Sequence, residues 1–145
     1  MSNTIDSIRQ DFEFLDDWEE RYRYIIDLGA GLDPYPEALR DDAHKVRGCV
    51  SQVWLAVEKD DGADPVLRFA GDSDAHIVRG LVAIVLALFS GRRSSEIAAT
   101  DAEAVFRQFG LDEHLTPQRA NGLRSMVQRI RDEARAALAA RQPAG

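Results

Sequence analysis

Apolar residues at three- and four-residue spacing open the chain. Ile5, Ile8, Phe12 and Leu15 follow Thr4, a good N-cap, and predict a short amphipathic helix. Asp17 caps a second one, in which Trp18, Tyr22, Ile25 and Ile26 form one apolar face, and Gly29 and Gly31 are expected to stop it before Asp33-Pro34-Tyr35-Pro36. A surface loop is expected from there to about Arg47. From Cys49 the period changes to two. Cys49, Ser51, Val53, Leu55 and Val57 alternate with Val50, Gln52, Trp54, Ala56 and Glu58, which predicts a strand beginning at Cys49. Asp61-Gly62 marks a turn, alternation returns over Pro65 to Ala70, and the economical reading is a hairpin.

Gly71-Asp72-Ser73-Asp74 offers N-caps for an apolar helix through His76, Ile77, Val78, Leu81, Ile84, Val85 and Leu88, stopped by Gly91. Thr100-Asp101-Ala102-Glu103 fits a capping box opening a helix that ends at Gly110. Thr116 with Pro117 starts the last helix, whose apolar face is Leu123, Val127, Ile130, Ala134 and Leu138, with residues 141–145 expected to fray. Helices on both sides of a hairpin imply an α+β domain, a small antiparallel sheet with helices packed on one face. A lone hairpin is marginal, so the helices must supply its stability.

Composition narrows the picture. At 145 residues, 45% hydrophobic and 30% charged, the chain reads as one domain, residues 1–145, with enough apolar surface for a core. A net charge of -7 works against a nucleic-acid partner, since phosphate binding needs a basic surface. The apolar block from Leu81 to Phe89 is far short of the roughly 20 residues that span a membrane, so no membrane partner is expected. The acidic start does not read as a secretory signal and a lone thiol suits a reducing compartment, so the cytoplasm is the expected location.

Cys49 is the single cysteine. It can form neither an intramolecular disulfide nor a Cys-x-x-Cys motif, so any chemistry it performs involves another molecule. A thiol of ordinary pKa near about 8.5 is mostly protonated at neutral pH. Lys45 and Arg47 are near it in sequence, but the strand phase places it with apolar Val53, Leu55 and Val57. Gly48 lends the loop freedom to expose the sulfur when a partner docks. An arbitrary lone cysteine is more often a small core residue, and the residues by themselves leave both readings open. His44, His76 and His114 lie in separate segments without zinc spacing and read as solvated, so no metal site is expected. Arg119 sits in the first turn of the last helix, where a cation meets the positive end of the macrodipole; the residues leave open whether an acidic loop or the thiol region compensates it or its head lies in water.

The segment Gly48-Cys49-Val50-Ser51-Gln52-Val53-Trp54 resembles the cysteine loop of the SufE family of sulfur acceptor proteins. Trp18-Glu19-Glu20-Arg21-Tyr22 with Ile25-Ile26-Asp27-Leu28-Gly29 resembles the family's second helix. Gly71-Asp72-Ser73-Asp74-Ala75 with Ile77-Val78-Arg79-Gly80-Leu81 resembles the start of its central helix, and His114-Leu115-Thr116-Pro117-Gln118-Arg119 with Gly122-Leu123 its last. The blocks fall in order over most of the chain.

The resemblance implies the α+β sandwich that SufE proteins share with the IscU scaffold family. It also implies that Cys49 takes persulfide sulfur from a cysteine desulfurase (SufS-like or CsdA-like), stimulates it, and passes the sulfur to an iron-sulfur scaffold complex (SufBCD-like). The pyridoxal phosphate of that reaction belongs to the desulfurase, and no cofactor is expected on this chain. IscU-like scaffolds hold a cluster with three cysteines, and one cannot. Gly48, Ser51, Gln52, Asp74 and Arg119 fall in or near the matched cysteine loop, with Asp74 and Arg119 expected to pair and hold it at rest. Val50 departs from the glutamine frequent in relatives. The competing readings are a stand-alone one-cysteine thiol enzyme, a peroxidase or hydrolase, and an interaction module with a structural cysteine.

Overall fold

The structure, a computed structural model, describes residues 4–49 and 51–141, without the side chain of Arg141. Of the expected frayed end at 141–145, Arg141 still belongs to the last helix, while 142–145 and the departure at Val50 lie outside the described residues.

Helix α1 (Ile5–Glu13) starts where its cap predicts: Thr4 Oγ1 accepts from Ser7 N at 3.1 Å, and Ser7 Oγ accepts from Thr4 N. Helix α2 (Trp18–Ala30) is capped by Asp17, which accepts from Glu20 N at 2.8 Å. The helix runs through Gly29, contrary to the expected stop, because Gly29 serves a close crossing rather than a turn. A Cβ there would lie 2.5 Å from Gly80 N on helix α3 (His76–Phe89), and a Cβ on Gly80 would lie 2.1 Å from Ile25 O.

Strands β1 (Val53–Lys59) and β2 (Val66–Ser73) pair antiparallel, with Val53 opposite Ser73 and Lys59 opposite Leu67. The alternation reads correctly: Val53, Leu55 and Leu67 are buried in the core with α3, while Glu58 and Arg68 face outward on the other side. A short strand β3 (Arg92–Arg93) adds to β2, giving the order β1-β2-β3. The sheet thus has three strands rather than the expected hairpin. The extra strand depends on long-range contacts: Gly91 N donates to Leu67 O, and Ser94 Oγ donates to Pro65 O.

Two further expectations are corrected at the sheet's end. The strand starts at Val53, not Cys49, and Gly71, Asp72 and Ser73 extend β2 instead of capping α3, whose N-cap Ala75 carries no side-chain cap. The reason is competition for hydrogen bonds, since Ser73 and Asp74 spend theirs on Gln52. The supposed surface loop before Cys49 also buries Tyr35 and Val46. Within it Lys45 bridges Trp54, Val46 N donates to Val53 O at 2.8 Å, and Leu55 N donates to His44 O at 2.9 Å.

The remaining helices are α4 (Ser94–Ala99), α5 (Ala102–Gln108), α6 (Leu111–His114) and α7 (Pro117–Arg141). The cap of α5 is Asp101, not Thr100, whose hydroxyl donates to Glu96 O. Helix α5 gives way at Phe109 and Gly110, as the glycine predicts. Leu123, Val127, Ile130 and Ala134 of α7 are buried on its predicted face.

Candidate functional site

Cys49 sits near the tip of a loop whose two arms are pinned and whose tip is held lightly. Downstream, Gln52 N donates to Asp74 Oδ1 at 3.1 Å, and Gln52 O accepts from Ser73 Oγ at 2.7 Å and from Asp74 N at 3.3 Å. Upstream, the Arg129 guanidinium of α7 donates to Ala43 O at 2.9 Å and Lys45 O at 3.3 Å. Between the arms, Gly48 turns with φ +88, a conformation that strains other residues. A Cβ at Gly48 would meet Ser125 Oγ at 2.6 Å.

The half-buried Cys49 sulfur lies 3.6 Å from Gly122 O, a weak S–H···O contact of about 0.5 kcal/mol. The bonds at Gln52 and Arg129 are ordinary or charge-assisted ones, of about 1 kcal/mol or more each. The tip therefore releases before either arm.

A cavity of about 30 Å³ opens beside the sulfur, lined by Ser51, Val78, Leu81, Gln118, Arg119 and Met126 with Gly122. That is room for one heavy atom or a water. Arg119 is the one charged residue in this lining among the described residues, and its backbone N–H donates to the capping Thr116 hydroxyl at 3.3 Å. Desolvation by burial raises the Cys49 pKa above its ordinary value. The resting thiol is thus protonated and sluggish.

Under the downstream arm lies Asp72. Burial pushes its carboxyl up, but bonds from Arg40 and Ser73 N and the charges of Arg79 and Arg40 outweigh that and hold it below the usual range. Arg40 Nη2 bonds Asp72 Oδ2 at 2.5 Å, and Arg40 Cζ lies over the Trp54 ring, 5.1 Å from its centroid. Arg79 Nε is 3.0 Å from Asp72 Oδ1 but is not aligned to donate, so that contact is ionic only. This cluster stiffens the β2–α3 turn that presents Asp74.

The match to the family model for SufE, the Fe-S metabolism associated domain, covers residues 6–134. The chain belongs to the SufE family. Its role therefore lies in iron-sulfur metabolism. It is 58% identical over 138 residues to an uncharacterized SufE-like protein of Rhizobium meliloti, covering 94% of this chain and 99% of that one. A second uncharacterized SufE-like protein, from Rhizobium etli, is 57% identical over 138 residues, covering 94% and 93%. The solution structure of a hypothetical protein from Thermus thermophilus superposes with a TM-score of 0.71 at 20% identity, over 93% of this chain and 96% of that one. At that identity it supports the α+β SufE-like fold alone.

Of the residues singled out from the SufE resemblance, Cys49, Ser51 and Arg119 line one cavity, Gly48 turns beside it, and Gln52 and Asp74 bond each other at the loop's end. The expected ion pair of Asp74 with Arg119 is not among those formed by the described residues. Asp74 accepts a backbone N–H instead. Sequence reasoning missed Gly122 as the sulfur's neighbour, and Ser125 and Arg129 altogether; their one signal is a spacing of three and four residues along α7. No histidine lines the cavity, for His44 pairs with Asp41 and His114 stacks on Trp18. Among the described residues no His, Cys, Asp and Glu group fits a metal ion, and no helix is long and apolar enough to cross a membrane.

The raised thiol pKa has a measurable sign. Burial favours the neutral thiol, so at neutral pH iodoacetamide alkylates Cys49 more slowly than a free cysteine, and the rate climbs with pH beyond the ordinary thiol range. The folded state's advantage from this thiol is full below the unfolded pKa of about 8.5 and is lost as pH rises through the higher folded value. A pH–rate profile that follows a free cysteine's contradicts the shielded site.

Proposed function

We propose that this protein is a sulfur acceptor and carrier: Cys49 takes sulfane sulfur from the persulfide of a cysteine desulfurase, stimulates that enzyme, and delivers the sulfur to iron-sulfur cluster assembly. The observation that carries the reading is a sole thiol on a lightly held loop tip, between two well-bonded arms, beside a cavity about the size of one added atom. The Cys49 thiolate attacks the outer sulfur of the donor persulfide. A new S–S bond forms at Cys49, the donor's S–S bond breaks, and its electron pair leaves with the donor sulfur, which takes up the proton lost from Cys49. Sulfur moves with no net oxidation.

The partner's persulfide and its pyridoxal phosphate supply the activated sulfur. A downstream scaffold complex receives it, and a reducing cytoplasm keeps the thiol available. Arg119 lines the cavity; in this reading its guanidinium meets an anionic persulfide there, and Arg119→Ala should slow transfer by about tenfold, the low end for losing one charge-assisted contact. Single-turnover transfer at intact folding measures this, and an unchanged rate removes Arg119 from the mechanism.

The stand-alone peroxidase or hydrolase reading fits less well, because a half-buried thiol with a raised pKa and no histidine in its cavity lacks a resident base. The discriminating experiment adds the protein to a cysteine desulfurase with cysteine and follows alanine formation. Acceleration supports the carrier reading, and no acceleration, with hydroperoxide or ester turnover by the protein alone, contradicts it.

A further inference from the structure

Helix α7 holds the upstream arm and the tip of the nucleophile loop on one stripe. Gly122 lies against the Cys49 sulfur, Ser125 against Gly48, and Arg129 against the carbonyls of Ala43 and Lys45. Steps of three and then four residues put these positions on one helix face. Arg129 alone among them grips the loop's stem. Its two terminal nitrogens reach two carbonyls of the stem, while its Nε lies 3.7 Å from Glu133, which also faces Lys59 at 3.8 Å at the end of β1. The guanidinium therefore ties the incoming arm to both α7 and the sheet. Val46, buried in the core, and the backbone pairs Val46 to Val53 and Leu55 to His44 also hold that arm.

We propose that Arg129 is a positioning residue for Cys49: by clamping residues 43–45 to α7, it confines motion to the tip and limits how often the sulfur leaves its cavity. The inference rests on reading Cys49 as the sulfur acceptor, and it adds the device that governs that residue's exposure. With the stem clamped, the loop opens about Gly48 and closes back onto Gly122. Without the clamp, the incoming arm also lifts, and the thiol is exposed in the absence of a partner.

Iodoacetamide alkylation of Cys49 in the isolated protein, followed by intact mass, tests this. Arg129→Ala removes both donors, and Arg129→Lys keeps the charge but loses the fork. The expected result is alkylation faster by about tenfold in Arg129→Ala, the factor for losing one charge-assisted bond at the low end of its range, and by a smaller factor in Arg129→Lys. Arg131→Ala is the control, since Arg131 makes a similar bond from α7 to Thr100 O at 2.8 Å, away from the loop. Its alkylation should stay at the wild-type rate.

A wild-type rate in folded Arg129→Ala overturns the proposal. So does an equal rise in Arg131→Ala, which would mark general loosening. If Arg129→Ala does not fold, Arg129→Lys decides: faster alkylation supports the clamp and a wild-type rate overturns it. No desulfurase or persulfide enters this assay, so its failure and the failure of the sulfur-acceptor reading are read separately.

Discussion

In the proposed role, Cys49→Ser should accept no sulfur and should no longer stimulate the desulfurase, while its fold and stability should stay close to wild type. Serine matches the thiol in shape, and its hydroxyl donates to Gly122 O at least as well as the S–H does. A hydroxyl, however, is not a thiolate nucleophile at neutral pH and forms no persulfide. No second cysteine substitutes for it. Transfer should fall to background, measured as sulfur bound per protein after one desulfurase turnover, with circular dichroism confirming the fold. Residual stimulation of the enzyme by Cys49→Ser would instead point to an interaction module with a structural cysteine.

Gly80→Ala should be the most destabilising single methyl in the molecule's helix pair. At an exposed helix position this change stabilises by up to about 1 kcal/mol through propensity. Here the new Cβ lies 2.1 Å from Ile25 O and 2.4 Å from the Ile25 side chain, and the first of these is backbone that cannot rotate away. Helices α2 and α3 must separate, and overpacking of this kind costs about 3 kcal/mol, enough to outweigh the propensity gain. Against a typical total of about 5–15 kcal/mol, that is a large loss. Urea unfolding measures it, and a midpoint at or above wild type contradicts the close crossing.

These two sites differ in how far the sequence discloses them. Gly80 lies in a block that resembles the family, yet nothing local says that Gly29 and Gly80 face each other, and Gly29 reads as a helix stop until α3 is packed on it. Where the determinants are local, the sequence is legible. Thr4 and Asp17 start their helices, the two-residue alternation assigns Val53 and Leu55 to the core, and Thr116-Pro117 begins α7. Strand β3 and helix α4 escape because Ser94 on Pro65 and Arg92 opposite Leu67 fix them from afar.

The candidate site divides in the same way. Cys49 and Gly48 are visible as a thiol beside a flexible residue, and the family resemblance singles out Asp74 and Arg119. Their actual partners are a backbone N–H and a cavity, neither of which has a sequence signature. The alternation that runs past Val53 to Cys49 misplaces the thiol on a strand, since hydrogen bonds to Asp74 and Ser73 hold Gln52 outside the ladder. Arg129 is one arginine among several on α7, and only the fold brings it to the stem.

Sulfur acceptance by Cys49 is read out by intact mass spectrometry of the wild-type protein after incubation with a cysteine desulfurase and cysteine, without reductant, followed by peptide mapping. The expected result is a gain of about 32 Da, one sulfur atom, located on Cys49. An unmodified protein beside a desulfurase that is turning over would contradict it.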